Sequence, residues 1–388
     1  MNTFLPYGHQ LIEDDDIAEV VRVLKSDYIA QGPEVEKMEK TICELTGAKY
    51  CVVVSNATAG LHIAVQALNL PEKSEGITTP ITFLASANCL VYNDLLPRFA
   101  DINEKTYCID PSEIEKKITP HTKVIIPVDF AGQPADMKAI KAIANKHDLY
   151  VIEDAAHAIG SFYPDGAAVG SCKYSDMTVF SFHPVKTITT GEGGAITTNS
   201  KTLYDHLVLL RSHGMVRDPA QISDYPGPWY YEMTELGFNY RMTDIQAALG
   251  NSQLKKLARF KDRRRAIIQR YNEAFKTNSF LTIPYEEPGA DSCFHLYILQ
   301  IDFARLCKTR NQVIKEVNGS GVGVQVHYIP VTYQPYYKTN FFTKRGDCPR
   351  ADAYYDQALS IPLYPAMTDD DVERVIRVVN MACGEKVI

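Results

Sequence analysis

No C-x-x-C pair occurs among the nine cysteines of this chain, and no His or Cys grouping has the spacing of metal ligands. Neither a disulfide framework nor a metal site is therefore expected, and the cysteines read as small buried residues in a reducing compartment. No stretch approaches the roughly 20 consecutive apolar residues that span a bilayer. The opening Met-Asn-Thr-Phe-Leu-Pro-Tyr-Gly-His lacks a basic run followed by an apolar core, so a signal peptide is not expected and a cytoplasmic location is. Positive charge is in deficit, 40 Lys and Arg against 47 Asp and Glu, which gives no general attraction for nucleic acid and leaves room only for a local basic pocket. No basic DNA-reading extension precedes the first strand, and no glycine-rich dinucleotide fingerprint follows it. Internal repeats and low-complexity segments are absent as well.

With 388 residues, 45% of them hydrophobic, the chain can bury a large core and is expected to form two unequal lobes. An extended arm is expected over 1–13, a large α/β domain over 14–250 and a smaller α+β domain over 251–388. Asp14-Asp-Asp-Ile-Ala-Glu opens a helix with carboxylates at its positive end. After Gly32-Pro33 a second helix places Val35, Met38, Ile42 and Leu45 on one core face. From Tyr50 onward strands and helices alternate, which argues for a parallel sheet. Candidate strands lie near 50–55, 76–80, 97–102, 123–130, 149–154, 176–182 and 194–198, with helices near 58–69, 82–92, 111–118 and 136–147. Thr243-Asp-Ile-Gln246 reads as a capping box that opens one long helix toward Tyr271, with the Lys- and Arg-rich part near 255–265 as its solvated face.

Chemistry concentrates between Leu149 and Asn199. Two short β-branched and aromatic runs there read as buried parallel strands whose polar ends present Asp154 on one tip and Ser181 with Lys186 on the other. Gly191-Glu-Gly-Gly194 follows, a turn that lets backbone come close to a bound group. Taken alone, Asp154 and Lys186 could form an ordinary ion pair. A carboxylate and a lysine in neighbouring strand-end loops also suit pyridoxal phosphate, the amine holding the aldehyde and the carboxylate pairing with the ring nitrogen. The first strand ends in Ser55-Asn-Ala-Thr-Ala-Gly60 and enters a helix whose free N–H groups at Ala57 and Thr58 offer a seat for phosphate. An ordinary Ser or Asn N-cap is the alternative there.

Val179-Phe-Ser-Phe-His-Pro-Val-Lys186 with Gly191-Glu-Gly-Gly194, and Leu236-Gly-Phe-Asn-Tyr-Arg-Met-Thr-Asp-Ile-Gln246, make the chain resemble the DegT/DnrJ/EryC-type sugar-nucleotide aminotransferases over nearly its whole length. The resemblance implies the aspartate aminotransferase-like fold type I of PLP-dependent transferases, a mostly parallel seven-stranded sheet followed by a smaller α+β domain. It implies Lys186 as the catalytic lysine, Ala57, Thr58 and Ser181 on the cofactor phosphate, Asp154 on the ring nitrogen, Ala156 and Phe83 on the ring's two faces and His157 at its polar edge. Outside that resemblance His157 reads equally well as a satisfied structural histidine, and Phe83 as core. Dehydratases that resemble the family carry histidine in place of this lysine, so Lys186 argues for amino transfer. Asn239 is implied to enter the neighbouring subunit's site and meet the cofactor or its adduct there, in a homodimer with shared sites.

On the substrate side the resemblance points to Tyr7, Asp27, Tyr28, Ile29, Ala30, Asn56, Ser181, Asn239, His327, Tyr328, Ile329 and Pro330 as positions lining a sugar-nucleotide pocket. Each of the aromatic and polar residues of Tyr7, 27–30, Asn56 and 327–330 also reads as structural when taken singly. Arg211-Ser-His-Gly-Met215 and Val326-His-Tyr-Ile-Pro330 resemble the pseudaminic-acid branch, which implies L-glutamate as donor and a UDP-linked 4-keto-6-deoxy amino sugar as acceptor. A legionaminic or bacillosamine precursor, a GDP- or dTDP-linked sugar, and a non-catalytic PLP-binding regulator remain as alternatives. The stretch from Asp218 to Glu235 has no counterpart in the family pattern.

Overall fold

β-Branched residues dominate Tyr50-Cys-Val-Val-Val54, and in the computed structural model, which describes residues 4–384, this run forms a strand of the main sheet. The first three positions of the expected arm lie outside the described residues. The strands of the sheet are β1 (Tyr50–Val54), β2 (Glu75–Thr78), β3 (Leu96–Phe99), β4 (Thr122–Ile126), β5 (Tyr150–Asp154), β6 (Met177–Ser181) and β7 (Gly194–Thr198), in the order β1-β7-β6-β5-β4-β2-β3. Only β7 runs against its neighbours. The ends of β1, β5 and β6 and the beginning of β7 therefore meet at one edge of the sheet. Val53, Ile125, Val151 and Phe180 pack on one face, and Val52, Val124, Ile152 and Val179 on the other, so the strands are apolar on both sides as a helix-covered sheet requires.

The covering helices are α1 (Asp14–Leu24), α2 (Pro33–Thr46), α3 (Ala57–Gln66), α4 (Ala85–Tyr92), α5 (Pro111–Lys117), α6 (Met137–His147), α7 (Lys201–Arg211), α8 (Asp244–Leu254) and α9 (Leu257–Phe275). On α2, Val35, Met38 and Ile42 are buried as expected, but Leu45 is exposed and Thr46 takes the buried place, its hydroxyl donating to the Ile42 carbonyl. The single long helix expected after Thr243 is two helices. The Thr243 capping box is present, but the chain breaks at Lys255 and Lys256 before α9 begins. Part of the basic run is also not solvated. Lys256 is buried with its amine 3.0 Å from Glu13 and 2.9 Å from Asp16, and Arg264 is fully buried, donating to the carbonyls of His295 and Leu363. Both replace water with fixed partners, which charge at a core position requires.

A hairpin of β8 (Met215–Val216) and β9 (Glu232–Met233) frames most of the stretch from Asp218 to Glu235. Beyond α9 a second, antiparallel sheet forms from β10 (Leu281–Thr282), β11 (Tyr297–Ile301) and β12 (Ala358–Ile361). With α10 (Arg310–Gly319), α11 (Pro335–Phe341), α12 (Pro349–Gln357) and α13 (Asp369–Ala382) it completes the element order, and Tyr271, Tyr297, Leu299, Val313 and Val375 belong to a separate core there. Leu5 joins that core and bridges to Val322. The cysteines are free thiols, but Cys307 is exposed, contrary to the expectation of burial. Among the described residues Glu13, Asp15 and Asp16 lie close enough to share a cation, and the Lys256 amine already sits among them. No helix of the described residues is long and apolar enough to cross a membrane.

Candidate active site

Register across β1, β7 and β6 aligns Val54 with Gly194 and Gly194 with Ser181, so three strand ends come level at the edge. The chain leaves β1 through Ser55 and Asn56 and turns at once into α3, with the Asn56 side chain accepting from the Ala59 N–H at 2.8 Å. Asn56, expected on the substrate side, is thus an N-cap. The Gly60 N–H reaches the Asn56 carbonyl, while the N–H groups of Ala57 and Thr58 make no hydrogen bond within the chain. Two unpartnered donors at the positive end of a helix form an anion seat. Gly194 makes this possible, because a Cβ there would stand 2.7 Å from the Ala57 nitrogen. The glycine run was expected to admit a bound group. Within it the space beside Gly191 is open, while that beside Gly194 is filled by Asn56 and Ala57 and that beside Gly193 by Thr190 and Met242. Ser181 is buried at the end of β6, its Oγ accepting weakly from the His183 N–H at 3.4 Å.

Asp154 is buried at the tip of β5. Its Oδ1 accepts from the Ala156 N–H at 3.1 Å and its Oδ2 from the Ser86 hydroxyl at 2.6 Å, with the Thr82 hydroxyl 2.6 Å from Ser86. Sequence reasoning missed Ser86 and Thr82, since nothing in their spacing marks two hydroxyls on α4 and the turn before it as partners of a residue nearly seventy positions later. Burial pushes Asp154 above its usual range, opposed by the Ser86 and Ala156 hydrogen bonds and by the Lys186 charge. The Lys186 amine has no hydrogen bond or ion pair to any described residue, while its backbone N–H donates to the His183 carbonyl at 2.9 Å. Burial lowers its amine to about 8, with Asp154 pulling the other way. Both groups move toward neutrality, so desolvation outweighs their mutual attraction and the two do not form the ordinary ion pair. A hydrogen-bonded carboxylate, an unengaged amine of lowered basicity and a pair of free N–H groups fit the ring nitrogen, aldehyde and phosphate of pyridoxal phosphate.

His157, also buried, uses both ring nitrogens inside the protein. Nδ1 accepts from the Ala131 N–H at 3.2 Å, so Nε2 carries the hydrogen toward the Tyr328 hydroxyl at 3.1 Å. Burial and the Lys186 charge hold the imidazole well below its usual pKa and therefore neutral. His295 stacks close by, its ring centre 4.5 Å away, and was not singled out from the sequence. Phe83 is 56% exposed, its ring 6.3 Å from that of Tyr328. Tyr7 lies 5.4 Å from the buried His327 ring, whose Nδ1 is 2.8 Å from the Ser360 hydroxyl. Pro330 is buried and Ile329 exposed. The Phe83, His157 and Tyr328 rings thus cluster together, with Tyr7 reaching them through His327.

Asp27, Tyr28, Ile29 and Ala30 are all exposed, and the Ala30 carbonyl accepts from the Asp244 N–H at the start of α8. None of them contacts the Asp154 or Lys186 side chain. Asn239 is exposed too; its segment runs beside the end of β1, where the Ser55 N–H donates to the Tyr240 carbonyl. Arg211, part of the branch-like motif, is committed to an ion pair with Glu39 and to the Val53 carbonyl. A separate cleft of about 520 Å³, lined by residues such as Gln133, Met137 and Tyr163, includes neither Asp154 nor Lys186.

A mostly parallel seven-stranded sheet with these groups at its strand ends defines an α/β transferase of the aminotransferase type. The chain belongs to the DegT/DnrJ/EryC1/StrS aminotransferase family, whose model matches residues 10–380. It is 41% identical over 380 residues to the spore coat polysaccharide biosynthesis protein SpsC of Bacillus subtilis, covering 98% of this chain and 97% of that protein. Its fold matches Helicobacter pylori PseC, an aminotransferase involved in the biosynthesis of pseudoaminic acid, with a TM-score of 0.91 at 30% identity over 98% of this chain and 99% of that one. The putative sugar aminotransferase Spr1654 of Streptococcus pneumoniae in its PMP-form matches with a TM-score of 0.90 at 28% identity, over 98% and 99% of the two chains.

Proposed function

We propose that this sugar aminotransferase transfers the amino group of L-glutamate to C4 of UDP-2-acetamido-2,6-dideoxy-β-L-arabino-hexos-4-ulose, in homodimers with shared sites. Its cofactor is pyridoxal phosphate, alternating with pyridoxamine phosphate. The observation that carries the reading is the meeting of Asp154, Ser181, Lys186 and the α3 N-terminus at one sheet edge. Bound there, the cofactor supplies an electron sink for amino transfer. Asp154 pairs with the ring nitrogen, and Ala57, Thr58 and Ser181 bind the phosphate. Ala156 and Phe83 would flank the ring, with His157 at its polar edge.

Lys186 holds the cofactor through Nζ and, once displaced by the amino donor, moves a proton to and from the reacting carbon. An amine lowered to about 8 is partly unprotonated near neutral pH, as a general base there must be. The acceptor sugar is assigned to Tyr7, Asn56 and 327–330 of one subunit together with 27–30 and Asn239, the last supplied by the neighbouring subunit. The similarity to PseC, an aminotransferase involved in the biosynthesis of pseudoaminic acid, supports amino transfer, and the UDP sugar is named on the motifs at Arg211–Met215 and Val326–Pro330.

The higher identity to a polysaccharide biosynthesis protein favours a second reading, the same transfer onto another nucleotide-linked keto sugar. Incubation of the purified protein with glutamate and a panel of UDP-, GDP- and dTDP-linked keto sugars, read by product mass, separates the two. Amination of the named UDP sugar is expected. Turnover confined to GDP or dTDP sugars transfers the assignment to the second reading, and bound cofactor without any turnover points to a regulator.

A further inference from the structure

Two buried acids behind the site have no place in that chemistry. Asp129, in the turn after β4, and Glu153, the residue before Asp154, are both fully buried. Neither is in an ion pair. The titratable groups facing Asp129 are Glu153, Asp154, Tyr163 and Cys108, and Cys172 also faces Glu153; all are acids.

The hydrogen bonds are lopsided. Glu153 accepts from three hydroxyls, those of Tyr163, Thr178 at 2.7 Å and Ser175 at 3.4 Å. Asp129 Oδ1 accepts from the Ala135 N–H at 2.9 Å, while Oδ2 has no donor at all. Asp129 lies alongside the end of β5, with Val128 bridged to Asp154 and its own N–H bonded to the Asp154 carbonyl, and the Glu153 charge bears on it there; two such buried carboxylates are not both charged, and the proton belongs on the oxygen that no described residue satisfies. That oxygen is Asp129 Oδ2. Burial and the Glu153 charge raise Asp129 well above the usual carboxylate range, and burial raises Glu153 too.

The same residue anchors the site through its backbone. The Asp129 N–H donates to the Asp154 carbonyl at 3.0 Å, and the Gly132 N–H closes the turn onto the Asp129 carbonyl at 3.2 Å. Between them Ala131 supplies the N–H that His157 Nδ1 accepts. We propose that Asp129 holds a proton between its Oδ2 and the Glu153 carboxylate, and that this link makes it the positioning residue for Asp154 and His157. One negative charge rather than two then lies beneath Asp154, which remains free to be the anion at the ring nitrogen. The consequence at Asp154 rests on the function proposed above; the proton itself does not.

Asp129→Asn tests the proton, because its amide oxygen can keep the Ala135 bond and its NH₂ can donate to Glu153. Infrared spectra of ligand-free wild-type protein at neutral pH should contain the carbonyl stretch of a protonated carboxylic acid. The band should vanish in Asp129→Asn and persist in Asp154→Asn. Its absence from the wild type, or its survival in Asp129→Asn, overturns the proposal. In the holoenzyme, Asp129→Asn should keep kcat within about threefold and leave the pH profile of the bound cofactor's absorbance unchanged. Asp129→Leu, or Asp129→Ala should the leucine variant not fold, should shift that profile and lower kcat roughly 10- to 100-fold, the scale of a misplacement of about 1 Å. Wild-type kcat and an unmoved profile in the apolar variant remove the positioning role.

Discussion

The strand-end edge and the loops around it are held in different ways. At the edge, Asp154 and His157 are buried and hydrogen-bonded, and Ser181 is buried beside them. The Lys186 amine makes no hydrogen bond or ion pair to a described residue, and its charge helps keep His157, His295 and His327 neutral. In the loops, Tyr28 is 60% exposed, Trp229 74% and Leu236 71%. The contrast separates two tasks. The groups proposed to do the chemistry are preorganised by the sheet before any ligand arrives, whereas the candidate recognition loops take their surroundings from whatever comes to cover them.

Lys186→Met breaks that contrast at its centre and should have the largest effect. On the proposed function, in which the same residue also holds the cofactor, amino transfer should fall by about 10⁴-fold, the upper end for loss of a general acid–base. The cofactor-free variant should nevertheless be the more stable protein at pH 7. The Lys186 amine titrates at about 8 in the folded protein against an ordinary lysine value of 10.5, so below pH 8 the wild type must bury a charge that the variant lacks. Between about 8 and 10.5 the unfolded chain keeps the proton and the folded chain does not, so wild-type stability rises and the difference closes. Thermal unfolding across that range checks the sign, and a Met variant less stable at pH 7 would contradict it.

Ser86→Ala sharpens the contrast at smaller cost. It removes the donor to Asp154 Oδ2 and leaves a buried carboxylate oxygen unsatisfied. Hydrogen bonds to charged groups contribute about 1.5–3 kcal/mol, so kcat should fall about 10- to 100-fold as the carboxylate becomes harder to keep ionised. Unchanged kcat would mean that Asp154 does not need this support.

How far the sequence revealed these features depended on how local each signal was. The β-branched run at Tyr50–Val54, the capping box at Thr243 and the strand carrying Asp154 could be read in place because periodicity and capping act within a few residues. The family could be read from the Val179-to-Gly194 and Leu236-to-Gln246 segments, whereas the order of the strands came only from the fold. Ser86 remained hidden because its partner is set by the approach of α4 to β5, and the break at Lys255–Lys256 because Lys256 turns inward to acids near the start of α1. Leu45 and Arg264 failed for the same reason: tertiary contacts chose their side, and helical spacing did not. The Gly191–Gly194 turn was read as one unit from its composition, and only the fold shows that the space beside Gly194 is taken by the first turn of α3 while that beside Gly191 stays open.

The smallest effect is expected at the other pole of the comparison. Trp229 lies against Gly227 on the stretch between β8 and β9, and Tyr231, Met233 and Leu236 extend the same exposed apolar run. A side chain so exposed contributes little to folding of one chain, so Trp229→Ser should leave unfolding stability within about 0.5 kcal/mol. An exposed apolar patch of this kind calls for a partner surface. Where a second copy of the chain covers it, as the shared-site reading requires, the lost burial of a large side chain costs about 1.5–3 kcal/mol of association. Sedimentation over a dilution series should then show Trp229→Ser dissociating at roughly 10- to 100-fold higher concentration than the wild type. Activity at concentrations that keep the dimer intact should match the wild type, and should fall on dilution in step with dissociation. Equal self-association of the two proteins would place Trp229 outside any contact between copies and leave the stretch from Asp218 to Glu235 to the mouth of the substrate site.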